Sequence, residues 1–348
     1  MHLLASDTFV WSVFGGIVGL MLLLDLFVFH RKSHVISVRE ALRGVVVWMT
    51  LAVAFMVLIY FRQVAHETSG ELGMFGLHKS GLDAAAKYLS CYILEQSLSV
   101  DNMFVFLVVF TYFGVPEAYR HKVLFWGIFG AVVMRALFIG AGVVLVSKFA
   151  WMTYLFGALL IYTGWKVAFN DGAHVEPEKN PVLRLSRKVL PIARDYDGDR
   201  FTTRHLGKFF FTPLFVVLII IETTDVMFAI DSIPAAFGQF PANEKPDLLI
   251  IFSSNIFAIL GLRALYFAVA GMMQAFSYLN YGLGIVLAFT GVKMLLTIWD
   301  IHVSAVPALS VIIGVLTITI LLSIYFPRKV KAQAEAPSAT GEGARTDH

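Results

Sequence analysis

Long apolar runs alternate with short polar segments from one end of this chain almost to the other. The runs fall near 9–29, 44–61, 84–112, 122–146, 150–169, 209–237, 248–270, 278–299 and 304–326. A helix rises 1.5 Å per residue, so about 20 apolar residues cover the ~30 Å of hydrocarbon in a bilayer. The pattern predicts an all-α membrane protein with about nine transmembrane helices. Residues 1–83 hold two N-terminal helices, 84–169 and 209–299 hold three each, and 300–326 hold the last. Residues 170–208 read as a polar connector. Residues 327–348, small, polar and aperiodic, read as a disordered tail.

Two of the runs carry acids. FTPLFVVLIIIETTDVMFAIDSIPAAF (211–237) contains Glu222, Asp225 and Asp231, and the run over 84–112 contains Glu95 and Asp101. A charged side chain at mid-bilayer costs roughly 2.5 to 3.5 kcal/mol on insertion scales. Such acids persist where a cation sits beside them or passes between them. They also repeat. Glu95 precedes Asp101-Asn102 by six and seven residues, as Asp225 precedes Asp231-Ser232. FGAVVMRALF (129–138) then matches FAILGLRALY (257–266), pairing Arg135 with Arg263, and Thr163-Gly164 with Lys166 matches Thr290-Gly291 with Lys293. The spacing between partners drifts by no more than a few positions along all three pairs of helices. Each unit has three helices, so the second enters the membrane from the opposite side. The expectation is two inverted three-helix repeats, an arrangement that places a site near the membrane midplane.

Helical phase sorts the polar residues. At 100° per residue Glu95 and Asn102 share a face, as do Asp225 and Ser232, and Glu222 lies one turn from Asp225. Asp231 lies about 180° from Glu222 on an unbroken helix, which needs a break to bring it round. Pro234 lacks an N–H and clashes with the preceding turn, and predicts that helix break. The candidate metal ligands are therefore Glu95, Asp101, Asn102, Glu222, Asp225, Asp231 and Ser232. All are oxygen donors, suited to magnesium, calcium or manganese. The ten histidines lie at helix ends, in loops or at the termini, and Cys91 is the one cysteine, which leaves no thiolate cluster. Five acids face two bases, with Arg135 and Arg263 as charge-balancing groups. One divalent cation and one proton would offset the excess, so metal and protons are expected to compete. Lys166 and Lys293, near helix ends, are expected to reach for the interface. Asp25 reads as an interfacial group. Asp195, Asp197 and Asp199 around Gly198 loosely resemble a calcium loop without its closing Glu.

Composition agrees with a membrane setting, at 58% hydrophobic and 15% charged residues. The net charge of +3 comes mostly from loops, and no nucleic-acid partner is expected. Arg31, Lys32, Arg39 and Arg43, the basic residues of 170–208, and Arg328, Lys329 and Lys331 all fall on one side under a nine-helix count. The positive-inside rule makes that side cytoplasmic, with the N-terminus outside and the C-terminus in the cytoplasm. No phosphate-binding loop is present, no prosthetic group is called for, and the chain does not read as an enzyme. Its oligomeric state stays open.

LEQSLSVDN (94–102), ETTDVMFAIDSIPA (222–235) and SNIFAILGLRALYF (254–267) resemble the TerC/Alx family of integral membrane proteins, over roughly residues 9–330. The resemblance implies metal-ion homeostasis, chiefly manganese export across the cytoplasmic membrane, with a historical label of tellurium resistance. It carries the site onto Glu95, Asp101, Asn102, Glu222, Asp225, Asp231 and Ser232. The expectation is a multi-pass Mn²⁺ exporter working by alternating access as an antiporter against protons. The alternative is a membrane metal-binding scaffold without net transport.

Overall fold

The computed structural model describes residues 6–24, 38–66, 78–149, 151–169, 190–193, 195–205, 208–241, 245–270 and 278–326. Nine α-helices lie within them. They are α1 (Asp7–Leu24), α2 (Val38–His66), α3 (Lys79–Tyr112), α4 (Glu117–Lys148), α5 (Met152–Phe169), α6 (Pro213–Phe237), α7 (Leu248–Ala270), α8 (Leu279–Leu296) and α9 (Ala305–Tyr325). Seven of these regions are long and apolar enough to cross a membrane; α1 and α7 contribute shorter apolar stretches, Asp7–Leu23 and Leu248–Leu262. Asp25, the 170–189 part of the connector and the tail at 327–348 lie outside the described residues. So do the side chains of Asp101 and Arg263, although their backbones are helical.

The fold is not wholly α. Strands β1 (Thr202–His205) and β2 (Lys208–Phe211) pair antiparallel just before α6, with Thr202 opposite Phe211. Their β-branched and aromatic residues favour extended backbone, a local signal that the polar character of the connector hides. The aspartates ahead of the hairpin serve it. Asp197 accepts from the Thr203 hydroxyl at 2.7 Å, and Asp199 pairs with Lys122 of α4 at 3.1 Å. Gly198 between them takes the left-handed conformation, φ +56°, that glycine adopts without strain.

In lipid, apolar helices gain little from mutual burial, and close backbone approach at small residues holds them together instead. The tightest crossing, between α5 and α8, follows this rule. A Cβ on Gly164 would stand 2.6 Å from the Gly284 carbonyl oxygen, and one on Gly291 would stand 2.5 Å from that of Gly157. The two contacts are reciprocal. Gly157 and Gly164 align in sequence with Gly284 and Gly291 at one constant offset, and exchanging each glycine for its aligned partner turns one contact into the other.

Helix α3 runs through the middle, packed against α2, α6, α7 and α9, while α4 lies on α6 and α7. Phe14, Phe55, Tyr88 and Phe257 knit α1, α2, α3 and α7 into one aromatic cluster, with Phe55 and Phe257 ring centroids 5.3 Å apart. Trp151, Trp165, Trp299 and Tyr325 project outward near helix ends, where an interfacial aromatic belt belongs.

Candidate functional site

Four helices converge on one arginine. Arg135 of α4 is 0% exposed, the largest fully buried side chain among the described residues. Small residues let α6 reach it. Gly127 receives Ile221, Gly130 lies under the Glu222 carboxylate, and Gly142 faces the Phe237 ring. A methyl group at Gly130 would occupy the space that carboxylate fills.

Around the guanidinium stand Glu95 from α3, Asp225 and Ser232 from α6, and Asn255 from α7. One Nη pairs with Glu95, and the same nitrogen reaches Ser232 Oγ at 3.2 Å and Asn255 Oδ1 at 3.4 Å. The other side of the fork is bidentate on Asp225, Nη2 to Oδ1 at 3.2 Å and Nε to Oδ2 at 3.4 Å. Asn255 completes the ring by donating from Nδ2 to Glu95 Oε2 at 2.8 Å. Both carboxylates and Asn255 are nine-tenths or more buried. Burying ions is tolerable only where each lone pair and proton finds a partner, and a planar five-donor fork supplies that to two carboxylates at once. With both acids ionised the cluster carries one net negative charge. A cavity of about 10 Å³, room for about one water molecule, reaches Asp225 between Met103, Phe106, Leu124, Ile128 and Leu262.

Helical phase thus gathers Glu95, Asp225 and Ser232 on Arg135, their counter-ion. It did not single out Asn255. An asparagine in an apolar run is a single polar letter, and its counterpart in the first repeat is Gly127, so the repeat could not flag it. Asn102 is buried on the Glu95 face of α3. Glu222 stays half-buried, and among the described residues its carboxylate accepts no hydrogen bond.

Asp231 stands apart from this cluster, half-buried, and accepts a hydrogen bond from Thr163 of α5 at 3.1 Å. The break expected at Pro234 does not interrupt the helix, which continues to Phe237. Pro234 falls in the last turn, where it removes a single ladder bond from the Ile230 carbonyl, while its own carbonyl accepts from Gly238 at 2.9 Å. With the helix intact, Asp231 keeps the opposite face. Lys293 also departs from expectation. Lys166 is exposed, whereas Lys293 is 5% exposed and turned into the bundle against α3 rather than toward an interface. Among the described residues no three His, Cys, Asp or Glu side chains stand close enough to share a metal ion. Arg135 occupies the place between Glu95 and Asp225.

This is a multi-pass membrane protein built around a buried ion cluster. The profile of the integral membrane protein TerC family matches residues 80–331, and the chain belongs to that family. It is 39% identical over 329 residues to an uncharacterised membrane protein of Myxococcus xanthus, covering 94% of this chain and 96% of that one. It is 37% identical over 317 residues to a protein of Escherichia coli K12 provisionally named membrane-bound redox modulator Alx, covering 91% and 94%. A protein of the same name from Salmonella typhi is 36% identical over 93% of this chain and 98% of its own length. No solved structure matches.

Proposed function

We propose that the protein exports a divalent cation, Mn²⁺ first, through a carboxylate site near the middle of the membrane, in exchange for protons. One observation carries the reading. Acids from two sequence-related helices, Glu95 and Asp225, meet on a fully buried arginine. A permanent ion pair of this kind adds little to stability compared with apolar packing. As the resting state of a cation site it has a purpose: the guanidinium keeps two carboxylates gathered when cargo is absent. Incoming cation replaces Arg135, with Glu222, Asn102, Asp101 and Ser232 as further oxygen donors, and protons compete for the same oxygens.

The reciprocal α5–α8 contacts support the inverted-repeat reading, as does the way α3 against α7 mirrors α6 against α4. Asp7, Arg62 and Asp247 support the nine-span count. The start of α1, the end of α2 and the start of α7 meet there, as they must if all three lie at one membrane face. The name of the Alx relatives suggests redox work. In this chain the one thiol, Cys91, is buried and donates to the Ala236 carbonyl, which leaves it no second thiol for disulfide exchange.

Flux into proteoliposomes tests the proposal. Wild type is expected to move Mn²⁺ and to move protons the other way, and Glu95→Gln and Asp225→Asn to reduce flux at least about tenfold, the effect of roughly 1.4 kcal/mol. Wild type that binds Mn²⁺ yet moves none establishes the scaffold reading instead. Parallel runs with Ca²⁺, Mg²⁺ and Zn²⁺ rank the cargo.

A further inference from the structure

Thr290 and Lys293 sit one turn apart on α8, 1% and 5% exposed, and neither Thr290 Oγ1 nor Lys293 Nζ has a hydrogen-bond partner among the described residues. Among the described residues, the ionisable groups whose charge acts on Lys293 are Cys91, Lys87 and Asp83, and Asp83 is engaged by Lys87 at 2.8 Å. An ammonium and a hydroxyl buried without acceptors are costly, and such groups persist when an acceptor reaches them in another state.

The repeat names that acceptor. Thr290 and Lys293 correspond to Thr163 and Lys166 of the first repeat, and Asp231 corresponds to Asp101. In the first half of this correspondence the contact is made: Thr163 donates to Asp231, and Lys166 is near enough for its charge to act on that carboxylate. In the second half the donors are present and unused. The backbone shows the same imbalance, for α5 lies along α6 more closely than α8 lies along α3. Glycine contacts tie α5 to α8 backbone to backbone.

We infer that Thr290 and Lys293 form a receiving site for the carboxylate of Asp101, and that the α5–α8 pair alternates between holding Asp231 through Thr163 and holding Asp101 through Thr290. The inference rests on the transport reading and adds the positioning residues that select between its two states.

Cross-linking in membranes tests it without flux. In a Cys91→Ala background, Phe156→Cys with Phe237→Cys reports this conformation, since those rings lie 6.1 Å apart. The counterpart positions, Leu283→Cys with Leu107→Cys, report the other. Both pairs are expected to form disulfides with copper phenanthroline. Thr290→Val is expected to lower the 107–283 yield relative to 156–237 by about threefold, the weight of one interhelical hydrogen bond in a membrane. Lys293→Met shifts it the same way, Thr163→Val the opposite way, and Thr290→Ser, which keeps the hydroxyl, leaves it unchanged. A 107–283 pair that never forms, or a ratio that Thr290→Val and Thr163→Val move in the same direction or leave alone, overturns the inference. Shifts as expected in a protein that moves no cation leave the inference standing and remove the transport reading.

Discussion

Arg135 has two buried carboxylates to satisfy. Removing it leaves Glu95 and Asp225 as buried like charges, and breaking a buried pair by deleting one partner costs about 3–5 kcal/mol. Arg135→Met is expected to lower the melting temperature in detergent sharply, and the triple change with Glu95→Gln and Asp225→Asn to recover much of the loss, because no charge is then stranded. If the triple variant melts no higher than the single, the cluster is not what Arg135 stabilises. Asn255→Ala removes the donor to Glu95 Oε2 and is expected to cost about 1–3 kcal/mol, the penalty of an unsatisfied buried acceptor. The acids and Arg135 were legible in the sequence because a charge inside an apolar run is conspicuous and its repetition rules out accident. Asn255 was not, since one neutral amide breaks no pattern. Lys293 misled by its position: closeness to a helix end suggested an interfacial lysine, but which way a side chain turns depends on the neighbouring helix.

Among the elements, α6 best separates what sequence can decide from what packing decides. Its phase put Asp225 and Ser232 on one face, and both reach Arg135; Asp231, set opposite Glu222 and expected to join them through a break, meets Thr163 instead. Pro234 argued for a break, but a proline in the last turn forfeits one hydrogen bond, and the turn that follows closes regardless. The connector hairpin was missed because its strands are four residues each, too short for periodicity to register. The α5–α8 crossing makes a sharper forecast. Gly164→Leu drives a branched side chain into the Gly284 backbone and is expected to destabilise the bundle by about 1–3 kcal/mol, the usual range for overpacking. Gly140, on neighbouring α4, has open space where its Cβ would stand, and Gly140→Leu is the control expected to melt near wild type. Thermal melts in detergent, read by size-exclusion peak height, compare the two.

At the scale of the whole molecule, an odd number of spans puts the two ends of the chain on opposite sides of the membrane under the nine-helix reading. Loop charge, a counting matter, makes the basic segments the expected cytoplasmic side. The ion pairs of Arg62 with Asp7 and Asp247 were not legible in the sequence, since they join residues 55 and 185 positions apart. Single cysteines in a Cys91→Ala background, labelled in intact cells with an impermeant maleimide, are expected to react at Asp7 and not within 170–208; labelling of both or the reverse pattern rejects the orientation. The reciprocal glycine crossing carries one more consequence. A contact that maps onto itself when its two helices trade places is the kind a symmetric dimer makes. The two halves nonetheless differ in sequence at the site: Glu222 stands where the first half has Tyr92, and Asn255 where it has Gly127. One arginine can therefore be surrounded by partners that no pair of identical subunits could offer.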